Sequence, residues 1–278
     1  MNIKDKFLNL GKVEAIFCDI DGTLIDSNSK LNPKTIEAVK KCPVPFFLVS
    51  GRSYNGMKVF HKELSLDTPI LSINGNIFFK DGKPIYKGSS LQGRIVEEIY
   101  QPLLDEYSDS ISLEAYDDYN WYCNTRNNEF VQYEERVLEF PPDVLFSKAK
   151  DISSIPMGKL LIIAKPKICD DIIERFSHLK DQCQIIRNHD TYIEFYALNT
   201  NKGLGALKAC EMFSLNPNNC VGCGDSAVDL PLLKSLGFRV AVDNADSIIK
   251  DVSNIITGSN NDCGIAELIE EIIRCKNK

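Results

Sequence analysis

The chain has 278 residues, 44% of them apolar and 26% charged, with a formal net charge of −7. That length points to two domains and gives ample sequence for a buried core, and the composition excludes a disordered or low-complexity chain. The acidic balance and the lack of a Lys/Arg stripe argue against nucleic-acid binding, which needs clustered cations to release counterions; a small phosphorylated ligand held by a metal and a few local cations stays open.

Residues 1–12 alternate charged and apolar side chains and lack the apolar stretch of a signal peptide. The longest apolar runs, such as 160–164, are strand-sized and fall far short of the roughly 20 residues that span a bilayer. No membrane association and a cytoplasmic location are therefore expected. A strand is predicted over residues 13–18, a helix over 33–41 with Asn32 as N-cap and Pro33 at its first position, a strand over 45–49, a helix over 53–64 and a strand over 70–73. This is the βαβ rhythm of a parallel sheet. Asn74-Gly75, and Asp81-Gly82 between the runs 77–79 and 84–86, are turn signals that break it.

A domain boundary is placed at residue 87, and residues 88–196 read as an inserted α+β domain. It has strand candidates at 111–116 and 119–123, a helix near 127–138, and apolar segments at 159–164, 168–179 and 191–197. From Lys202 the βαβ rhythm resumes: a helix to residue 213, strands over 219–223 and 238–242, and a helix after Asp225. In the last helix Ile265, Leu268, Ile269, Ile272 and Ile273 form one apolar stripe. The expected fold is α/β, a parallel sheet flanked by helices, built from residues 1–87 and 197–278 around the insert.

The ten cysteines are scattered, and a chain of this size needs no disulfide staples. Cys220 and Cys223 form a C-x-x-C, readable as a redox pair or half of a zinc site. No second C-x-x-C follows, and His61, His178 and His189 are isolated, so buried reduced thiols are the simpler reading.

The segment A-I-F-C-D-I-D-G-T-L places Asp19 and Asp21 directly after an apolar strand, the edge at which open α/β sheets bind ligands. The period of two puts both carboxylates on one side if the chain stays extended, and Gly22 permits a sharp turn. Two adjacent carboxylates repel unless a cation neutralises them, and Mg²⁺ prefers such oxygen ligands. A turn whose aspartates merely cap a helix is an equal alternative on this stretch alone. Three later segments deliver further groups to the same edge. Ser50-Gly51-Arg52 ends a strand with a hydroxyl and backbone N–H groups suited to a phosphoryl oxygen. Asn201-Lys202-Gly203 sets an ammonium at a helix start. V-G-C-G-D-S-A-V-D-L carries Asp225 and Asp229 at i, i+4, one helical face suited to holding a cation and orienting Lys202.

D-I-D-G-T, S-G-R, N-K-G and G-D-S-A-V-D, in that order and spacing, resemble the four motifs of the haloacid dehalogenase (HAD) superfamily, and the resemblance spans nearly the whole chain. The long insert resembles the large α/β cap of the Cof-like sugar-phosphatase branch, as does the turn at Asn74. The resemblance implies a Rossmann-like core with a cap that closes over the pocket, and a phosphatase acting on small phosphorylated metabolites such as sugar phosphates. Asp19 would be nucleophile and Asp21 general acid and base. Mg²⁺ would be held by Asp19, the Asp21 carbonyl and Asp225, with Asp229 behind them or acting through water. Ser50, Gly51 and Lys202 would hold the phosphoryl group.

The family's fourth motif carries Asn where this chain has Val228, and Ser226 is the residue that would compensate by binding phosphate. Arg52, Asn74, Glu114, Trp121 and Arg126 are candidates for reading the substrate, along with Tyr116 and Asp117, although an aromatic strand serves equally as cap core. A phosphomutase resembling phosphomannomutase, or a weakly active phosphate-binding relative, stays open beside the phosphatase. A receiver-type phospho-acceptor needs about half this length and no D-x-D-G-T. The partner expected is a small phosphorylated molecule; substrate identity and oligomeric state are not legible.

Overall fold

The computed structural model describes residues 10–277 and divides into two compact units, one built from residues up to Lys87 and from Asn201 onward, the other Gly88–Thr200. The first unit opens with β1 (Ala15–Cys18), α1 (Pro33–Lys40), β2 (Phe46–Leu48) and α2 (Tyr54–Glu63). The Asn32 side chain accepts the Lys34 N–H at the start of α1, and proline occupies its first turn, where a missing N–H costs nothing. An antiparallel trio follows, β3 (Ile70–Ser72), β4 (Ile77–Lys80) and β5 (Lys83–Lys87), joined to the main sheet by a parallel bridge from Val49 to Leu71.

The β3–β4 turn holds Ile73, Asn74 and Gly75 at positive φ. A Cβ on Gly75 would lie 2.8 Å from the Gly205 Cα, so this backbone rests directly on a later helix and only glycine fits.

The second unit contains α3 (Gly93–Tyr107), β6 (Ser112–Tyr116), β7 (Trp121–Cys123), α4 (Glu129–Leu138), β8 (Val144–Leu145), β9 (Lys159–Ile163), α5 (Pro166–Arg175), β10 (Cys183–His189) and β11 (Tyr192–Ala197). Its sheet runs β10-β11-β9-β6-β7-β8, antiparallel except for the β7–β8 pair. Leu113, Leu160, Ile162 and Phe195 pack on one side with Ile99 of α3 and Ile172 of α5. Strand alternation puts Glu114, Tyr116, Lys159 and Glu194 on the other. The unit continues to Thr200, past the expected boundary at 196, because β11 runs to Ala197 and the Gln184 side chain donates to the Ala197 and Thr200 carbonyls at 2.9 and 2.7 Å.

The chain then returns to the first unit through α6 (Lys202–Phe213), β12 (Cys220–Gly224), α7 (Leu230–Ser235), β13 (Phe238–Ala241), α8 (Ser247–Val252), β14 (Ile255–Ile256) and α9 (Gly264–Lys276). The main sheet has the order β14-β13-β12-β1-β2 with every pairing parallel, the α/β core expected from the sequence. Ile265, Leu268, Ile269 and Ile272 of α9 are fully buried, each side chain contributing about 1.5–3 kcal/mol. Because β1 and β12 are neighbours in register Cys18↔Cys223, the loops that follow them emerge side by side.

Candidate active site

β1 ends at Cys18, and Asp19 follows with its N–H donating to the Cys223 carbonyl at 3.1 Å. Lys202 begins α6, whose N-cap Asn201 accepts the Leu204 N–H. Its Nζ donates to Asp19 Oδ1 and to Asp229 Oδ1, both at 2.6 Å, and all three side chains are at most 5% exposed. The other Asp229 oxygen accepts the Asp225 N–H at 3.0 Å, the Ser226 N–H at 3.1 Å and the Ser226 hydroxyl at 3.4 Å. Asp225 Oδ1 accepts the Thr23 hydroxyl at 2.8 Å. Asp19, Asp225 and Asp229 bring carboxylate oxygens within 4.8 Å of one another.

Three carboxylates and one ammonium leave an excess of negative charge. Burial, then the charge of Asp229, pushes the Asp19 carboxyl well above its ordinary value, with Lys202 opposing. Asp225 is pushed up to about 6 by burial and by Asp229, against the Thr23 hydrogen bond. Burial works to lower Lys202, but its two carboxylate partners outweigh that and hold it above the usual lysine value. Such a crowded, all-oxygen donor set fits a hard divalent cation, which would relieve the repulsion.

Asp21 lies beyond the strand, in a turn closed by the Leu24 N–H on the Ile20 carbonyl at 2.9 Å, so strand alternation does not place it. Its charge nevertheless raises the Asp19 carboxyl. Gly22 has φ +73°, and a Cβ there would meet Asp225 Oδ2 at 2.4 Å. The Arg52 guanidinium donates to both oxygens of the Asp21 carboxylate, Nε at 2.8 Å and Nη2 at 2.6 Å. The Arg52 N–H in turn donates to the Ser50 hydroxyl at 3.2 Å, and the Ser50 carbonyl accepts the Asn74 N–H at 2.7 Å. Ser50-Gly51-Arg52 therefore stands beside the Asp19 loop, with the Val49 N–H on the Cys18 carbonyl at 3.0 Å.

Two expectations change. The segment after Asp225 is a 3-10 turn, Ala227–Asp229, and the α-helix starts only at Leu230, because Pro231 is tolerated in a first turn but not inside a helix. Asp225 and Asp229 approach through this capping turn rather than on a helical face, and the Ser226 hydroxyl is turned to Asp229; Val228 is half-buried in the same turn.

In the cap, Glu114, Tyr116 and Trp121 are buried. Glu114 accepts the Ser112 and Tyr116 hydroxyls at 2.8 and 2.6 Å, and Tyr116 stacks with Trp121. Trp121 Nε1 has no hydrogen-bond partner among the described residues. Asp117 is occupied by the β6–β7 turn, accepting from Tyr119, Asn120 and Tyr122. Arg126 pairs with Glu135 at 2.7 and 2.9 Å.

Thr23, Asn244, Lys159 and Glu194 are additions. Asn244 Nδ2 donates to the Gly22 carbonyl at 2.7 Å and Asn244 Oδ1 accepts the Asn260 N–H at 2.8 Å, bracing the turn that carries Asp21. Its position just past β13, on the same sheet edge as Asp19, was the available signal. Lys159 and Glu194 pair at 3.2 Å in the cap, and no sequence spacing links them.

Residues 16–269 match the haloacid dehalogenase-like hydrolase family. A putative phosphatase of Haemophilus influenzae is 25% identical over 266 residues, covering 93% of this chain and 97% of its own. Phosphoglycolate phosphatase 1 of Saccharolobus solfataricus is 24% identical, covering 94% and 96%. The crystal structure of a haloacid dehalogenase-like hydrolase from Bacteroides thetaiotaomicron superposes with a TM-score of 0.82 at 23% identity, covering 94% and 99%. With the four motif segments gathered on one sheet edge, the chain belongs to the haloacid dehalogenase-like hydrolases, in their Cof-like branch.

Proposed function

We propose that this HAD-type phosphatase hydrolyses small phosphorylated metabolites, sugar phosphates foremost, through a phosphoryl group carried on Asp19. The observation that carries the reading is the buried Lys202 ammonium shared by Asp19 and Asp229 beside Asp225. Lys202 keeps the Asp19 carboxylate fixed and supplies positive charge for phosphoryl oxygens in a site poor in water. An Asp19 oxygen attacks phosphorus, the bond from phosphorus to the leaving oxygen breaks, and Asp21 gives that oxygen its proton. Asp21 then takes a proton from the water that attacks the aspartyl phosphate, which releases inorganic phosphate and restores Asp19. The Ser50 hydroxyl and the Gly51 N–H contribute hydrogen bonds to the phosphoryl oxygens. Asp229 positions Lys202 and caps the turn that presents Asp225.

Mg²⁺ held by the Asp19 carboxylate, the Asp21 carbonyl and Asp225 would neutralise phosphoryl charge during attack. In the cap, the Trp121 indole N–H, buried and without a hydrogen-bond partner among the described residues, is the group suited to a sugar hydroxyl.

Release of phosphate from an aryl phosphate and a phosphometabolite panel, with and without Mg²⁺, tests this. Asp19→Asn abolishes turnover; full activity in that variant rules the mechanism out. Conversion of a hexose 1-phosphate to the 6-phosphate without phosphate release would replace hydrolysis with a mutase.

A further inference from the structure

Strand β12 carries the C-x-x-C, and a spacing of three along a strand turns Cys220 and Cys223 to opposite faces of the sheet. They therefore do not pair with each other, and each meets a different cysteine. Cys223 is the register partner of Cys18, whose Sγ donates to the Asp19 carbonyl at 3.1 Å. Cys220 faces α6, where Cys210 Sγ donates to its Sγ at 3.8 Å, and Cys220 Sγ donates onward to the Asn216 carbonyl at 3.4 Å. The thiols thus form a chain whose last acceptor is a backbone oxygen, leaving a Cys220 sulfur lone pair directed at Cys210.

Both residues are buried, but the segment that joins them is not: Glu211, Met212, Phe213 and Ser214 are exposed, and Ser214 ends α6 in the left-handed conformation. Helix ends open at low free-energy cost, so fraying of this last turn admits a small oxidant while the sheet stays intact. Closing a disulfide to about 2.05 Å takes the sulfurs less far than a single χ1 change moves a thiol.

We infer that Cys210 and Cys220 form an oxidisable dithiol, a modification site for hydroperoxides, which closes to a disulfide tying α6 to β12. The Cys210 thiolate attacks the distal peroxide oxygen, the O–O bond breaks, and an alcohol or water leaves with a proton. The sulfenic acid so formed is attacked at sulfur by Cys220; the S–O bond breaks, and the Cys220 proton joins the departing hydroxide as water. Two thiols are oxidised by two electrons and one hydroperoxide is reduced, so no further co-reactant enters. Once Cys210 is ionised the Cys220 S–H turns from the Asn216 carbonyl to the Cys210 sulfur; that contact lowers the Cys210 thiol, while it and burial raise Cys220, which fits Cys210 as the sulfur that attacks the peroxide.

The cross-link joins the two elements that deliver Lys202 and Asp225, at a place eight residues along α6 from Lys202, roughly 12 Å at the helical rise. It braces the scaffold without touching the catalytic groups, so its test is independent of the phosphatase reading.

The full-length protein is treated with hydrogen peroxide, its remaining thiols are alkylated under denaturing conditions, and it is digested unreduced for mass spectrometry. The expected result is a peptide joining Cys210 to Cys220 and the loss of two of the ten alkylatable thiols, both reversed by dithiothreitol. Neither Cys210→Ser nor Cys220→Ala gives a linked peptide under the same treatment: Cys210→Ser keeps all its remaining thiols, whereas Cys220→Ala stops at the Cys210 sulfenic acid and loses one; if either fails to fold, the wild-type peptide map decides. Ten alkylatable thiols after oxidation, or linkage through another pair such as Cys18 with Cys223, overturns the assignment.

Discussion

Replacing Lys202 by methionine removes a cation bonded to two buried carboxylates, each 2.6 Å from its Nζ. At an effective dielectric of 20 each contact is worth about 6 kcal/mol gross, most of it offset by the desolvation of three ions. What the substitution exposes is the residual charge, and its cost is limited by proton uptake. A carboxyl with the ordinary value of 3.8 takes up a proton at pH 7 for about 4 kcal/mol, at 1.36 kcal/mol per pH unit. Proton uptake by Asp19 then relieves the repulsion, so Lys202→Met lowers the unfolding free energy by at most about 4 kcal/mol at pH 7 and by less at pH 5. Without the opposing ammonium the Asp19 carboxyl sits further above its unfolded value than in the wild type, so the folded variant binds more protons and loses stability more steeply as pH rises above about 4. Urea unfolding of wild type and variant in metal-free buffer at the two pH values measures both losses. An unchanged midpoint, or an equal loss at both pH values, refutes the argument that Lys202 compensates trapped charge.

Burial first, then Glu134, raises the Glu114 carboxyl from 4.5 to about 7. Its stability contribution is complete below pH 4.5 and is lost as pH rises to about 7, a cost of about 3 kcal/mol at pH 8. Glu114→Gln, neutral throughout, raises the urea midpoint at pH 8 and leaves it nearly unchanged at pH 5; a drop at both would show that the carboxylate is needed. Arg52→Ala frees the Asp21 carboxylate and lowers kcat/KM by about 10- to 100-fold, while the half-exposed pair contributes under about 1 kcal/mol to stability; steady-state kinetics with parallel melting curves separate the two. Val228→Asn restores the polar residue of the family motif, and a rise of about 10-fold or more in phosphate release per enzyme is expected.

The sheet of the first unit was readable because its signals are local: Asn32-Pro33 announces α1, and apolar runs ending in Asp19, Ser50 or Gly224 mark strand ends. The acidic and basic site groups were readable because each sits within a few residues of such an end. Pairings across the chain were not. The Arg52 grip on Asp21 spans 31 positions, and Lys159 with Glu194 spans 35. Helix α3 escaped because Pro102 interrupts its pattern and no side chain caps its start. The aromatic strand was ambiguous in principle, since Trp121 and Tyr116 carry the same letters whether they face a ligand or a packed interior; the structure buries both.

The backbone contact between Gly75 and Gly205 pins together two segments that flank the whole inserted unit, Gly88–Thr200. The chain leaves the first unit after β5 and comes back at α6 with both departure and return points already clamped. Loop-closure entropy grows only slowly with length, so the size of what lies between matters little to the clamp. The insert is therefore a replaceable cassette: it can be lengthened, shortened or exchanged for another sequence while Lys202 and the Asn74 turn keep their registration.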